Sequence, residues 1–300
     1  MFTILGHLGV WAGLYALASF ICLCQLAGLT PGGFLPRWEA MACLLLTATA
    51  VYSVDRVKLI SRWLDPADIA AQPARYQFLT RRTGLVRAFA FVLLVAAAAV
   101  GFRIGAIVPL LVVIAAASTV IYAPKPRNAI ARVKDRLWLK NAYVAVGMAT
   151  FAAVLAVLSV HPGSVEESIR SAMNLQPVLG IAFTIVALRI FFDAALCDID
   201  DEPTDRQFRT ETFATSLGSS RVWNWAGLGR FPLAVALLIA TPLPFVARCA
   251  WSAAMVLGMF ALRWRHPVRI RDTVDIRFLP EAVFVTLLLF LASYSSSFIR

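Results

Sequence analysis

Three aspartates in the second half of the chain have a spacing that suits metal binding. Asp198, Asp201 and Asp205 lie at positions i, i+3 and i+7 of one stretch. On a helix these positions share one face, although we expect Pro203 to end the regular helix, so that Asp205 reaches that face from a loop. Carboxylates held together repel each other, and a hard cation such as Mg²⁺ relieves the repulsion. The alternative is a solvated acidic loop at a helix end.

A second acidic point follows an apolar segment in the first third of the chain. Asp55 ends that segment, and Tyr52 lies one turn earlier on the same helical face. We expect Asp55 to lie at the same membrane depth as Asp198, so that the two acidic points could hold metal ions between them. The alternative is an ion pair of Asp55 with Arg56 or Lys58 at the helix end.

Basic side chains near these aspartates could bind phosphate oxygens. Each of them is also explained as a signal of membrane topology. The candidates are Lys125, Arg127, Lys140 and Arg209. Arg189 and Asp193 lie four residues apart inside an apolar segment, which predicts an ion pair within the membrane.

The elements that must hold these residues are membrane-spanning helices. The chain has 300 residues, of which 60% are apolar and only 15% charged, and its mean hydropathy is +0.76. Soluble domains are about 45–50% apolar and about 25% charged, and disordered chains have low hydrophobicity. The long unbroken apolar runs also differ from the alternating pattern of a membrane β-barrel. The composition therefore predicts an all-α, polytopic membrane bundle.

Nine apolar segments are long enough to cross a bilayer. We expect them to form a single transmembrane helical bundle domain over residues 1–300. The segments are 8–29, 37–57, 85–102, 104–123, 139–160, 174–197, 228–247, 249–264 and 278–298. Two pairs of segments are joined tightly. Arg103 alone is predicted between the third and fourth spans, and Arg248 alone between the seventh and eighth.

The distribution of positive charge predicts the orientation. The net charge is +11, and 22 of the 28 Lys and Arg residues follow the second, fourth, sixth or eighth span. Positive residues concentrate in cytoplasmic loops. We therefore expect the N-terminus inside and the C-terminus outside, in a multi-pass protein of the cell's inner membrane. The positive charge thus indicates a lipid bilayer rather than nucleic acid as the partner.

These features together resemble the UbiA superfamily of intramembrane prenyltransferases, which has nine helices and two Asp-rich motifs. Asp198, Asp201 and Asp205 are followed by Thr212 and Gly218 at the offsets of the second motif of that family. The stretch 122–125 and the start of the fifth span, residues 139–141, are also similar to the family.

The first Asp-rich motif departs from the family pattern N-D-x-x-D-x-x-x-D. Val51, Tyr52, Asp55 and Leu59 stand at its four key positions, so only Asp55 is kept. One carboxylate cannot chelate a metal ion as a larger set can. Two later residues, Asp65 and Asp68, could compensate if the following loop folds back.

The resemblance implies a Mg²⁺-dependent enzyme that moves an isoprenyl group from a prenyl diphosphate to an aromatic or lipid acceptor. It implies that Mg²⁺ is held by Asp55, Asp198, Asp201 and Asp205. It implies that the diphosphate is bound by Tyr52, Lys125, Arg127, Lys140, Asn141 and Arg209. Two alternatives stay open: a membrane terpene cyclase of the same superfamily, and a non-catalytic protein that binds or transports prenyl lipids.

Overall fold

The structure, a computed structural model, describes residues 2–30, 34–60, 64, 66–122, 136–240, 245–264 and 270–297. Within these ranges the regular structure is entirely helical. In chain order the helices are α1 (Phe2–His7), α2 (Val10–Ala27), α3 (Trp38–Val57), α4 (Pro66–Ala71), α5 (Pro73–Thr80), α6 (Thr83–Gly101), α7 (Val108–Tyr122), α8 (Leu137–Val160), α9 (Val165–Asn174), α10 (Gln176–Gln207), α11 (Phe213–Leu217), α12 (Ser219–Ala240), α13 (Phe245–Trp264) and α14 (Ile270–Ser297).

The long helices confirm a polytopic membrane bundle. Six helices of the described ranges are long and apolar enough to cross a bilayer: α2, α3, α6, α8, α10 and the Ser219–Ile239 part of α12. The three other predicted spans overlap α7, α13 and α14. The number of nine crossings stays a prediction.

One predicted helix end is wrong. Pro203 lies inside α10, which continues to Gln207, so Asp205 is on the helix rather than in a loop. A proline removes one backbone hydrogen bond, but other helices hold this turn. Asp200 accepts hydrogen bonds from the first two backbone N–H groups of α14, and Glu202 accepts one from the first residue of α12. These contacts offset the loss at the proline.

The predicted joint between the seventh and eighth spans is also displaced. α12 ends at Ala240 and α13 begins at Phe245, so Arg248 lies within a helix. Pro242 and Pro244 stand in the interval between the two helices, and proline lacks the N–H that a continuing helix needs.

Helix α10 lies at the centre of the bundle and packs against α2, α4, α8, α11, α12 and α14. Its neighbour α8 buries a stripe of small side chains, which lets the two helix backbones approach closely. The stripe consists of Ala145, Ala149, Ala152 and Ala156. Asn141 continues the same helical spacing towards the start of α8 and is buried as well, so the packed face of α8 directs this amide at α10.

Two short helices, α4 and α5, fold back over one end of the bundle. Tyr76 and Leu79 of α5 are buried in a small apolar cluster with Val57 and Val86. This cluster anchors the segment beside the end of α3. The opposite side of the segment, described below, faces a cavity.

Candidate active site

A polar cavity of about 190 Å³ lies where α3 ends and where α8 and α14 begin, beside the last turns of α10. Many of its lining residues carry charge, which is unusual within a membrane protein and points to function. The acidic residues that line it are Asp55, Asp68, Asp193, Asp198, Asp201 and Asp275. The basic ones are Arg56, Arg75, Lys140 and Arg271.

Asp198 is held by two consecutive residues at the start of α8. Lys140 Nζ lies 2.5 Å from Asp198 Oδ1, and Asn141 Nδ2 donates to Oδ2 at 3.1 Å. The aspartate is 1% exposed, so its charge requires such partners. Both partners are predicted to bind a diphosphate, and in the structure both contact this carboxylate.

Asp201 joins α10 to α14 and to the α4–α5 segment. Arg271 Nη2 donates to Asp201 Oδ2 at 2.5 Å, and Gln72 Nε2 lies 3.5 Å from Oδ1. The neighbouring Asp200 accepts from the backbone nitrogens of Ile270 and Arg271 at 3.1 and 2.9 Å. Since a carboxylate at a helix N-terminus satisfies otherwise unpaired N–H groups, Asp200 fixes the start of α14 at the cavity.

Asp55 lies at the end of α3 and forms an ion pair with Lys58. This is one of the two ion pairs that the sequence left open for Asp55. Lys58 ends the helix with a positive φ of 53°, and its carbonyl accepts a hydrogen bond from Arg87. Asp55 and Tyr52 nevertheless both line the polar cavity. The ion pair with Lys58 therefore does not remove Asp55 from the cavity wall.

Another part of the cavity wall contains a buried network centred on Asp193. The carboxylate accepts from Tyr15 Oη at 2.8 Å and from Arg277 Nη2 at 3.1 Å, and it also contacts Arg230. Arg189 Nε lies 3.7 Å from Oδ2, which confirms the predicted ion pair. Burying a carboxylate with this many donors compensates the cost of its desolvation.

The α4–α5 segment closes one side of the cavity, so the chain after α3 folds back over it. The lining residues are Asp68, Ala71, Gln72, Arg75 and Tyr76. Asp65 lies outside the described residues. Burial raises the pKa of Tyr76 well above its ordinary value, so its hydroxyl stays protonated at neutral pH.

A larger apolar chamber of about 520 Å³ adjoins the polar cavity and lies among α3, α7 and α8. The two share a wall formed by Tyr52, Asp55, Tyr122, Val144 and Met148. The rings of Tyr122 and Tyr143 stack at a centroid distance of 5.6 Å. The chamber continues away from this wall between aliphatic side chains of the three helices.

The predicted site residues fall into three groups. Six line the polar cavity: Asp55, Asp198, Asp201, Tyr52, Lys140 and Asn141. Asp205 is buried but does not line it, and Arg209 is exposed just beyond the end of α10. Lys125 and Arg127 lie outside the described residues. The roles of all ten stay predictions.

Sequence reasoning missed the contributions of α5 and α14. Arg271 was predicted in the loop after the eighth span, and Asp275 was not considered. The reason is that the ninth span was predicted to begin at residue 278, whereas α14 begins at Ile270. The residues Arg271, Val274, Asp275 and Phe278 have the spacing of one helical face, and Val274 and Phe278 are buried. That pattern was the available signal.

The donor chemistry of the cavity fits Mg²⁺. Its carboxylate and amide oxygens are the ligands that this ion prefers. Within the described ranges no three Asp, Glu, His or Cys side chains converge into a metal-binding group. Mg²⁺ is usually held by only one or two carboxylates together with substrate phosphates. The arrangement therefore fits a cation that binds with a diphosphate.

Comparison with solved structures identifies the fold. A structure of digeranylgeranylglyceryl phosphate synthase superimposes with a TM-score of 0.51 at 13% identity, over 96% of this chain and 98% of the other. The chain has the fold of this synthase. The resemblance to UbiA-type enzymes is thus confirmed at the level of the fold. No family model and no curated protein matches the sequence.

Proposed function

We propose that this protein is a Mg²⁺-dependent intramembrane prenyltransferase that moves an isoprenyl group from a prenyl diphosphate to an aromatic or lipid acceptor. The observation that carries the proposal is the wall shared by the polar cavity and the apolar chamber. A prenyl diphosphate has a charged head and an apolar tail, and the two compartments match these two parts. The fold shared with digeranylgeranylglyceryl phosphate synthase supports the same class of reaction.

The head of the substrate would lie among Lys140, Asn141 and Arg271, whose N–H groups bind phosphate oxygens. Such fixed donors would stabilise the charge that develops on the leaving diphosphate. Asp198, Asp201 and Asp55, which all line the cavity, would hold Mg²⁺, and the ion would further neutralise the diphosphate.

The reacting carbon would lie at the shared wall. When the bond between C1 and the diphosphate oxygen breaks, both electrons leave with the diphosphate and C1 becomes an allylic cation. Tyr52 and Tyr122 line both compartments, and aromatic rings attract a cation at close range. The acceptor then forms a bond to C1 and loses a proton.

The deciding experiment uses the full-length protein in lipid nanodiscs with Mg²⁺ and labelled geranyl, farnesyl or geranylgeranyl diphosphate. We expect Mg²⁺-dependent release of pyrophosphate and a prenylated acceptor from an added lipid extract. A cyclic product without an acceptor would instead identify a terpene cyclase. Binding of the substrates without any release of pyrophosphate would identify a binding or transport protein. Either result would overturn the proposal.

We also propose nine crossings of the cell's inner membrane, with the N-terminus inside and the C-terminus outside. At the polar cavity α3 and α10 approach their C-terminal ends, whereas α8 and α14 begin. This alternation agrees with the topology predicted from the basic loops. Single cysteines placed at Glu166 and Arg209, in a variant without the native cysteines, should react from opposite sides of the membrane.

A further inference from the structure

Helix α9, at the opposite end of the bundle from the polar cavity, carries an exposed apolar stripe. The stripe consists of Val165, Ile169 and Met173, which lie at positions i, i+4 and i+8 and share one face of the helix. Ile169 is 52% exposed and Met173 is 69% exposed. Since apolar area in contact with water is unfavourable, this face suits apolar surroundings better than solvent.

The rest of the α9 surface divides into a side that packs on the protein and a side that suits water. Ser168 is buried and donates to the His161 carbonyl at 3.2 Å, and the Ser171 hydroxyl lies 2.8 Å from His161 Nε2. Glu166 and Arg170 form an exposed ion pair at 3.0 Å. The helix therefore has three separate faces, of which the apolar stripe is the one that neither protein nor charge accounts for.

The same end of the bundle exposes aromatic side chains. The backbone nitrogen of Gly163, in the turn before α9, donates to the Ile104 carbonyl at 2.8 Å, which joins this turn to the turn between α6 and α7. Phe102 in the latter turn is exposed. Trp38 at the start of α3 is exposed as well, and its ring lies 5.6 Å from the guanidinium of Arg103. Because Trp is enriched where a membrane meets water, this end has the features of a membrane boundary.

The length of α10 relates this boundary to the polar cavity. Helix α10 begins at Gln176, directly after α9 ends at Asn174. Asp198 lies 22 residues further along the same helix, which is about 33 Å at a rise of about 1.5 Å per residue. The hydrocarbon core of a bilayer is about 30 Å thick. A bilayer with one boundary at α9 therefore has its other boundary near the polar cavity.

We infer that α9 lies in the plane of the membrane and inserts its apolar stripe among the acyl chains of the lipid. Its short connections to α8 and α10, both long and apolar enough to cross a bilayer, hold it at the bilayer surface. A helix with an apolar and a charged face binds an interface in this way, with the apolar face about 5–10 Å below the headgroup boundary. A second copy of the chain suits the stripe less well, because a helix of 10 residues offers less area than a stable dimer needs.

The experiment measures the depth of α9 in the bilayer by electron paramagnetic resonance. Full-length protein without its native cysteines is spin-labelled at Ile169→Cys or Met173→Cys on the stripe, or at Glu167→Cys as the control on the water side. Each protein is placed in nanodiscs of phosphatidylcholine and phosphatidylglycerol. We expect the stripe labels to collide with oxygen, which concentrates among acyl chains, more than with a water-soluble nickel chelate, at a depth of about 5–10 Å. The label at residue 167 should show the reverse order.

Two results would overturn the inference. Equal access of the nickel chelate to all three labels would place the whole helix in water. Low access of both reagents to the stripe would show that protein covers it, and magnetic broadening between labels would identify a second copy of the chain. The two stripe positions are labelled separately, so either one decides the matter.

A variant with the native cysteines provides an independent measurement. In lipid, Ile169→Glu should lower the unfolding temperature in nanodiscs, because it brings a charge among acyl chains. Glu167→Gln is the control and should leave that temperature unchanged. The same unfolding temperature in both variants would contradict the insertion of α9, since a charge on a water-exposed face costs little.

Discussion

Lys140 Nζ lies 2.5 Å from Asp198 Oδ1, in an ion pair that joins the start of α8 to α10. Asn141 occupies the other carboxylate oxygen at 3.1 Å. An ammonium group has three donors, so Lys140 can hold Asp198 and a phosphate oxygen at the same time. The pair therefore links the acidic and the cationic parts of the site and makes Asp198 the first residue to test.

Replacing Asp198 by Asn should lower kcat/KM for the prenyl diphosphate by at least about 100-fold, the magnitude of losing one electrostatic contact in an active site. The change removes a carboxylate at the proposed cation site and leaves Lys140 without its counter-ion. Glu202→Gln is the control, because Glu202 lies on the same helix and bonds to Arg206 and Ser219 instead of lining the cavity. Equal rates in the two variants would reject a role for Asp198.

Two substitutions at Tyr52 separate the role of its ring from that of its hydroxyl. If the ring stabilises the allylic cation, Tyr52→Phe should keep most of the activity, whereas Tyr52→Leu should lower kcat by roughly 5- to 30-fold, equivalent to about 1–2 kcal/mol. If the hydroxyl binds the diphosphate, Tyr52→Phe should raise KM. Measuring kcat and KM for both variants distinguishes the two, and unchanged values in both would exclude Tyr52 from the site.

Filling the apolar chamber should shorten the longest substrate that the protein accepts. Gly147 lies on the chamber wall with open space around the position of a Cβ, so Gly147→Phe would project a ring into the chamber. We expect activity with geranylgeranyl diphosphate to fall well below activity with geranyl diphosphate.

Gly180→Phe is the control for this substitution. Gly180 has equally open space but lies on the exposed face of α10, away from the chamber. Relative rates with diphosphates of three chain lengths provide the measurement. A Gly147→Phe protein with the wild-type ratio of rates would show that the tail binds elsewhere.

The Asp193 network should matter mainly for stability. Asp193→Ala would leave Arg230 and Arg277 buried with one carboxylate fewer, and breaking a buried pair in this way costs about 3–5 kcal/mol. Glu166→Ala, which removes an exposed ion pair with Arg170, should cost no more than about 1 kcal/mol. Unfolding of both variants in the same detergent measures the difference. Similar losses would mean that the network contributes little to the fold.

Much of the local organisation was readable in the sequence. The apolar runs predicted the long helices, because a chain in lipid must satisfy its own backbone hydrogen bonds. The spacing of Asp198 and Asp201 predicted a shared face, and both line one cavity. The separation of Arg189 and Asp193 predicted their contact. The two pairs lie within two helical turns, where the relative position of the side chains follows directly from the backbone.

The partners of the buried charges were decided only by the tertiary structure. Gln72 and Asp201 are 129 residues apart, and Arg271 and Asp201 are 70 apart. Their contacts depend on how the helices cross and where α4 and α5 fold back, and neither is encoded in local spacing. Asp205 has the helical spacing of a residue that shares a face with Asp198 and Asp201. It does not line the cavity, because it lies further along α10. The sequence by itself determined the helices and the faces that carry charge, whereas the packing of distant helices decided which of those charges meet.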